Sequence, residues 1–419
     1  MYKRVVLENG IQILTEEIPH VRSLALGFWV DTGSRDEPDE LAGISHFIEH
    51  LLFKGTEKRT AREIAEALDA VGGQLNAFTT KEYTCYYARV TDEHFDLALD
   101  VLSDMVFAPL FRAEDIDRER NVILEEIKMY EDSPDELVHD VFATTIWAGH
   151  SLGRPIIGNA RVIGDLSREE ILSYYRQNYV PGKLVVAVAG NIDHRQVAEK
   201  LEKRLGGFGG QAAPRENSRP VPQSAVNCRQ KETEQIHLCL GVPGLPLDDA
   251  QIYVLQVINT ILGGGLSSRL FQEIRESRGL AYSVYSYHSS YRDTGLFCVY
   301  AGLSKNNVAK VIDLVFQEIR DVQKNGVSAD ELRRAKDQMR GNLLLSLESV
   351  STRMSRLAKS QLYLGRVDSP EEVVEKISRV TEDQVKETAR RMLTPEAFAI
   401  ASVGPWDDCA ALLTAAGRA

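Results

Sequence analysis

The chain has 419 residues, 43% hydrophobic and 26% charged, an ordinary globular composition with room for two or three domains. Acidic residues outnumber basic ones 61 to 49, for a net charge of −12, which excludes a phosphate-backbone binder with its required basic face. Five cysteines without a CxxC pair exclude a thiolate zinc site and argue against a disulfide framework, so a reduced, soluble, cytoplasmic protein is expected.

The opening stretch MYKRVVLENGIQILTEE alternates as strands do and lacks the charged and apolar regions of a leader. No run of about 18 apolar residues occurs anywhere, so no membrane span is expected.

The next segment, LAGISHFIEHLLFKG, holds His46, Glu49 and His50. On a helix His46 and His50 share a face one turn apart, with Glu49 beside them. This is HxxEH, the inverted form of the HExxH zinc motif. Two imidazoles at that spacing can converge on one Zn²⁺, and the carboxylate between them can reach water at the metal as a general base. Ile44, Phe47, Ile48, Leu51 and Leu52 make the helix largely apolar. Burying two histidines and a glutamate there demands a partner or a metal.

Helical periodicity follows over 61–71. GGQLNAFTTKEYTCYYARV then leaves a Gly-Gly turn and alternates over 83–90 as a strand. Further helical patterns cover 94–108 and 113–130. The second of these is the best source of a third metal ligand. Glu119 and Glu126 lie two turns apart on one face, and Ile116, Val122, Ile123 and Ile127 form an apolar stripe. From the residues alone Glu119, Glu125 and Glu126 stay open, with Glu125 the best fit to a solvated charge.

A stretch rich in Gly, Pro and polar residues at 205–225 reads as a linker near the midpoint. The two halves end alike. LSREEILSYYRQNYVPGKLVVAVAGN in the first matches VTEDQVKETARRMLTPEAFAIASVGP in the second at an offset of 214 positions. Each copy opens with a capping box, Ser167 with Glu170 and Thr381 with Gln384. The second half repeats the mixture, with helical patterns over 249–262, 307–324 and 329–347 and a strand over 295–301. Two α+β domains descended from one unit are expected, each a sheet with helices packed on a face: 1–208, a linker over 209–224, and 225–419. The second half has no metal set, since Gln256, Asn259 and Thr260 stand opposite His46, Glu49 and His50.

HFIEH with Glu126 downstream resembles the pitrilysin-type (inverzincin) metallopeptidases, and most closely the subfamily that includes the mitochondrial processing peptidase and its bacterial relatives. The resemblance spans essentially the whole chain. It implies two homologous domains with mostly antiparallel sheets, the second domain degenerate and facing substrate. It implies a zinc endopeptidase that cleaves peptides or unfolded segments, with one Zn²⁺ per subunit held by His46, His50 and Glu126. By the same likeness Glu49 is the general base and Glu119 a carboxylate that orients a ligand. Asn76, Ala77 and Phe78 lie in an edge strand that pairs with extended substrate. Gly263, Gly264 and Gly265 match a glycine-rich loop that guides substrate, and Arg275 and Tyr282 match an Arg–Tyr pair that binds it. Without the family, Phe78 reads as core and Arg275 as a surface salt bridge with Glu273 or Glu276. Family members close two such subunits into a clamshell, so a homodimer is expected, with Arg275 and Tyr282 supplied by the partner. The competing classes are a non-catalytic subunit of a related complex, against which the intact metal set argues, and a non-peptide zinc hydrolase.

Overall fold

A computed structural model describes residues 2–406 except 213, 214, 216 and 217, together with 410 and 412. The chain forms two compact units, and neither is a contiguous half of the sequence. The first comprises Met1–Ile127, Arg154–Asn217 and Ser346–Asp368; the second comprises Lys128–Gly153, Ser218–Leu345 and Ser369–Ala419. Each unit therefore includes a helical segment from the other half.

The first unit is built on six strands, β1 (Tyr2–Val6), β2 (Gln12–Glu17), β3 (Ser23–Val30), β4 (Gln74–Thr79), β5 (Thr84–Thr91) and β6 (Leu184–Gly190). Their order is β1-β2-β6-β3-β5-β4. Only β2 and β6 run parallel. Strand alternation sorts the apolar residues onto two faces. On β3, Leu24, Leu26, Phe28 and Val30 enter the core that contains the apolar side of helix Ile44–Leu52. Ala25 and Trp29 enter a second core on the opposite face, with Val350, Met354, Leu357 and Ala358 of helix Val350–Leu364. Helices thus cover both faces of the central strands, where the sequence pattern pointed to one. Gly27 permits the close approach: a Cβ there would come within 2.6 Å of Met354 Sδ.

The second unit carries β7 (Val226–Gln230), β8 (Ile236–Gly244), β9 (Ala281–Ser290), β10 (Gly295–Leu303) and β11 (Ala399–Gly404), in the order β7-β11-β8-β10-β9. Only β7 and β11 run parallel. This reproduces the order and polarity of β2-β6-β3-β5-β4. The repeat read from the chain is thus a repeat of topology, and both capping boxes form, at Ser167 and at Thr381. Helix Pro134–Ile146, from the first half of the sequence, packs on one face of this sheet through Val138, Phe142 and Ile146.

Cys85, Cys239 and Cys298 are free and buried, whereas Cys228 is disulfide-bonded, contrary to the all-thiol expectation. Cys409 lies outside the described residues. Among the described residues no helix is long and apolar enough to cross a membrane.

Candidate metal centre

HxxEH falls on helix Ile44–Leu52 as the spacing requires. Its N-cap is Gly43, at φ 100°, which has no side chain to satisfy the first amides. The buried carboxylate of Glu37 does so from outside the helix, accepting from Gly43 N at 2.7 Å and Ser45 N at 2.8 Å. Burial pushes the Glu37 carboxyl up to about 7, against the pull of those two hydrogen bonds. Ser45 Oγ lies 3.0 Å from the hydroxyl of Tyr174, so the helix start is tied down on both sides.

Helix Ala113–Asp132 brings the third ligand candidate. Glu126 Oε2 lies 3.9 Å from His46 Nε2 and 3.7 Å from His50 Nε2. These separations are too long for hydrogen bonds. They are a few tenths of an ångström wider than the edges, about 3.3 Å, of a tetrahedron around a metal with bonds of about 2.0–2.1 Å. Glu126 Oε2 is buried and has no hydrogen-bond partner. Leaving such an atom unsatisfied is costly, and a cation among the three groups removes the cost. His46, His50 and Glu126 are the one group among the described residues in which three such donors come within 4.8 Å of one another. The donor set, two imidazoles and a carboxylate, suits Zn²⁺ and leaves a fourth position open.

The surrounding side chains prepare the donors. His46 is driven down to about 4 by burial and then by repulsion from His50, so it is a neutral imidazole at neutral pH. His50 Nδ1 contacts Glu119 Oε2 at 3.2 Å, and Lys54 Nζ donates to Glu119 Oε1 at 2.8 Å. Burial works against the charge on Glu119, yet the hydrogen bonds from His50 and Lys54 hold its pKa below the usual carboxylate value. Glu49 is not in the donor group. Burial raises its pKa, and Thr79 Oγ1 donates to its Oε2 at 2.5 Å. Of the three glutamates that the residues alone left open, Glu126 joins the donor group, Glu119 contacts His50, and Glu125 is exposed. Val122 is also exposed and does not join the apolar stripe.

Sequence reasoning did not single out Glu37, Lys54 or Thr79. Lys54 had a signal, since it stands four residues after His50. Glu37 and Thr79 had none, because loop closure and strand pairing bring them in.

The other candidates divide between the units. β4 is an end strand of its sheet and among the described residues pairs only with β5, which leaves one row of its backbone groups without a strand partner there. Asn76 is exposed and Ala77 half-buried. Phe78, also half-buried, packs edge-on against Trp29, Tyr83 and Tyr87, which makes it part of an aromatic cluster. Arg275 and Tyr282 belong to the second unit, where the guanidinium lies 5.7 Å from the Tyr282 ring and 4.8 Å from that of Phe271. Glu273, one proposed salt-bridge partner of Arg275, is engaged by Arg278.

Residues 12–160 match the family model described as insulinase (peptidase family M16), and residues 165–339 match that of the peptidase M16 inactive domain. A Bacillus subtilis protein named uncharacterized zinc protease YmxG is 44% identical over 405 residues, 97% of this chain and 98% of its own. The chain belongs to peptidase family M16. A Streptomyces coelicolor relative, uncharacterized zinc protease SCO5738, is 45% identical over 414 residues, 97% of this chain and 90% of its own. The fold is shared with a protease from Helicobacter pylori, at TM-score 0.92 and 20% identity over 97% of this chain and all of that one. It is shared too with a structure from Pseudomonas fluorescens described as a peptidase M16 inactive domain, at TM-score 0.89 and 21% identity over 97% and 98%. Within this M16 chain the metal group lies in the segment matched by the first family model, and the second half carries none among its described residues.

Proposed function

We propose that this M16 chain is a zinc endopeptidase acting on peptides or unfolded segments. The observation that carries the reading is the buried, unpartnered Glu126 oxygen beside the two imidazole nitrogens of HxxEH. The zinc in the relatives' names supports zinc as the metal.

His46, His50 and Glu126 hold one Zn²⁺. Zinc bound there supplies a Lewis acid that polarises a carbonyl and makes water acidic near neutral pH. Glu119 accepts from His50 Nδ1, which fixes the tautomer with Nε2 free to ligate. Glu49 takes the proton of the attacking water and passes it to the departing amine nitrogen. Its raised pKa suits that task, because a carboxylate nearer neutrality is a stronger acceptor. Extended substrate adds as a strand to β4 beside Asn76, Ala77 and Phe78, and main-chain hydrogen bonds hold it without demanding a particular sequence. Arg275 and Tyr282 offer donors to the substrate backbone and to the developing oxyanion. Two copies enclose the cavity as a homodimer, with Arg275 and Tyr282 acting across it.

The test is zinc analysis together with a peptide-library digest, with and without chelator. One zinc per chain and chelator-sensitive cleavage inside peptides are expected. Cleavage that survives chelation, or zinc bound without cleavage, overturns the reading.

A further inference from the structure

The two faces of the β4 edge differ in chemistry. Leu75 and Ala77 pack on the core beneath the motif helix, and Thr79 on the same side reaches Glu49. Gln74, Asn76 and Phe78 alternate to the other face, opposite Arg89, Tyr87 and Cys85 of β5. Helix Val350–Leu364 covers that face over β2, β6 and β3 and reaches the start of β5 through Tyr363, whose ring lies 6.1 Å from that of Tyr83. Beyond it the β4–β5 strip stays open: Gln74, Asn76 and Arg89 are exposed, and Phe78 and Tyr87 are half-buried.

Two cations flank this strip. Lys359, on the covering helix, holds Nζ 5.8 Å from the centre of the Tyr83 ring, which lies 6.1 Å from that of Phe78. Arg89 stands at the other end, opposite Gln74. Among the described residues neither forms an ion pair, and the Tyr83 ring is the one charge-accepting group that either meets. Carboxylates are not scarce in a chain with 61 of them against 49 basic residues. Arg35, Arg59, Arg154 and Arg215, for example, are each paired with a carboxylate. Two cations without an ion pair thus stand on one open strip beside a strand edge.

We infer that the open face of the β4 edge is a subsite for acidic side chains of the substrate. A strand added to β4 places every second side chain on this face. One carboxylate near Phe78 meets Lys359, at the end of β4 where Thr79 contacts the base. A second, four residues along and about 13 Å away, lies beside Gln74 and meets Arg89. The aromatic wall of Trp29, Phe78 and Tyr83 limits solvent screening at the Lys359 end, which strengthens that contact. The inference rests on β4 as the peptide-binding edge and adds the class of substrate it selects.

The test is a Glu, Gln and Lys scan through each position of an otherwise uncharged cleavable peptide. Cleavage is read as kcat/KM, and binding is read separately by anisotropy on Glu49→Gln. Two positions four apart should favour Glu over Gln about fivefold and over Lys about tenfold. Lys359→Glu should reverse the order at one of them and Arg89→Glu at the other, while Lys359→Arg keeps it. The neutral variants Lys359→Gln and Arg89→Gln should flatten it. A purely structural role for either residue would not reverse a charge preference. Peptides cut with no charge preference, or with a preference that both charge reversals leave intact, overturn this inference alone. Peptides bound with the expected preference but never cut overturn the catalytic reading alone.

Discussion

His50 Nδ1 lies 3.2 Å from Glu119 Oε2, so the ring presents its other nitrogen toward Glu126. Glu119 is in turn held by Lys54, at 2.8 Å from its second oxygen. The chain Lys54–Glu119–His50 therefore sets both the orientation and the basicity of one ligand. Glu119→Gln should weaken zinc binding about 10- to 100-fold while leaving all three ligands in place. Lys54→Met should act in the same direction and less strongly, and Lys54→Arg should restore most of the affinity. Competition against a chromophoric chelator measures all three; unchanged affinity in Glu119→Gln would refute the positioning role.

Glu49 lies outside the donor group and is held by Thr79. Glu49→Gln should retain zinc at the wild-type ratio and lose about 10²- to 10⁴-fold in turnover. Metal analysis and peptide turnover on one preparation separate the two effects. Normal turnover in the variant rules out the base assignment.

Glu125 and Glu126 are neighbours in sequence, but only Glu126 joins the donor group. His50→Ala and Glu126→Ala should each lower the zinc content of purified protein. Glu125→Ala, at an exposed position, should leave it unchanged. Equal zinc loss in the two glutamate variants would mean that the helix is rotated relative to its position here.

Glu37 caps the motif helix and titrates within the physiological range. Its pKa in the folded chain is raised from 4.5 to about 7, chiefly by burial. The folded state therefore binds this proton more tightly than the unfolded state does. The resulting stabilisation is complete below about pH 4.5 and is lost as pH rises toward about 7, a change of up to about 3 kcal/mol. Urea unfolding across that window should show this fall in the wild type and a flatter profile in Glu37→Gln. Equal slopes in both proteins would show that another group is responsible.

What the sequence determined by itself is what short-range periodicity encodes. HxxEH needed only 3.6-residue spacing to become a helix with both imidazoles on one face. The helix predicted over 113–130 is Ala113–Asp132, and the strand predicted over 295–301 is Gly295–Leu303. The duplicated ends predicted two copies of one unit, and five strands of the first sheet repeat the order of the second. From the residues alone Glu125 and Glu126 stayed open; the tertiary structure brings Glu126 to the histidines, because helix rotation against the core, not spacing, selects the side chain that reaches them. The tertiary structure alone placed Glu37 and Thr79 around the motif, and it assigned helix Val350–Leu364 to the sheet of the first unit. Arg89 and Lys359, far apart in sequence, come to flank one open strip only through that packing. Local patterns fix the element and the face; contacts between distant segments depend on how the elements bury their apolar sides together.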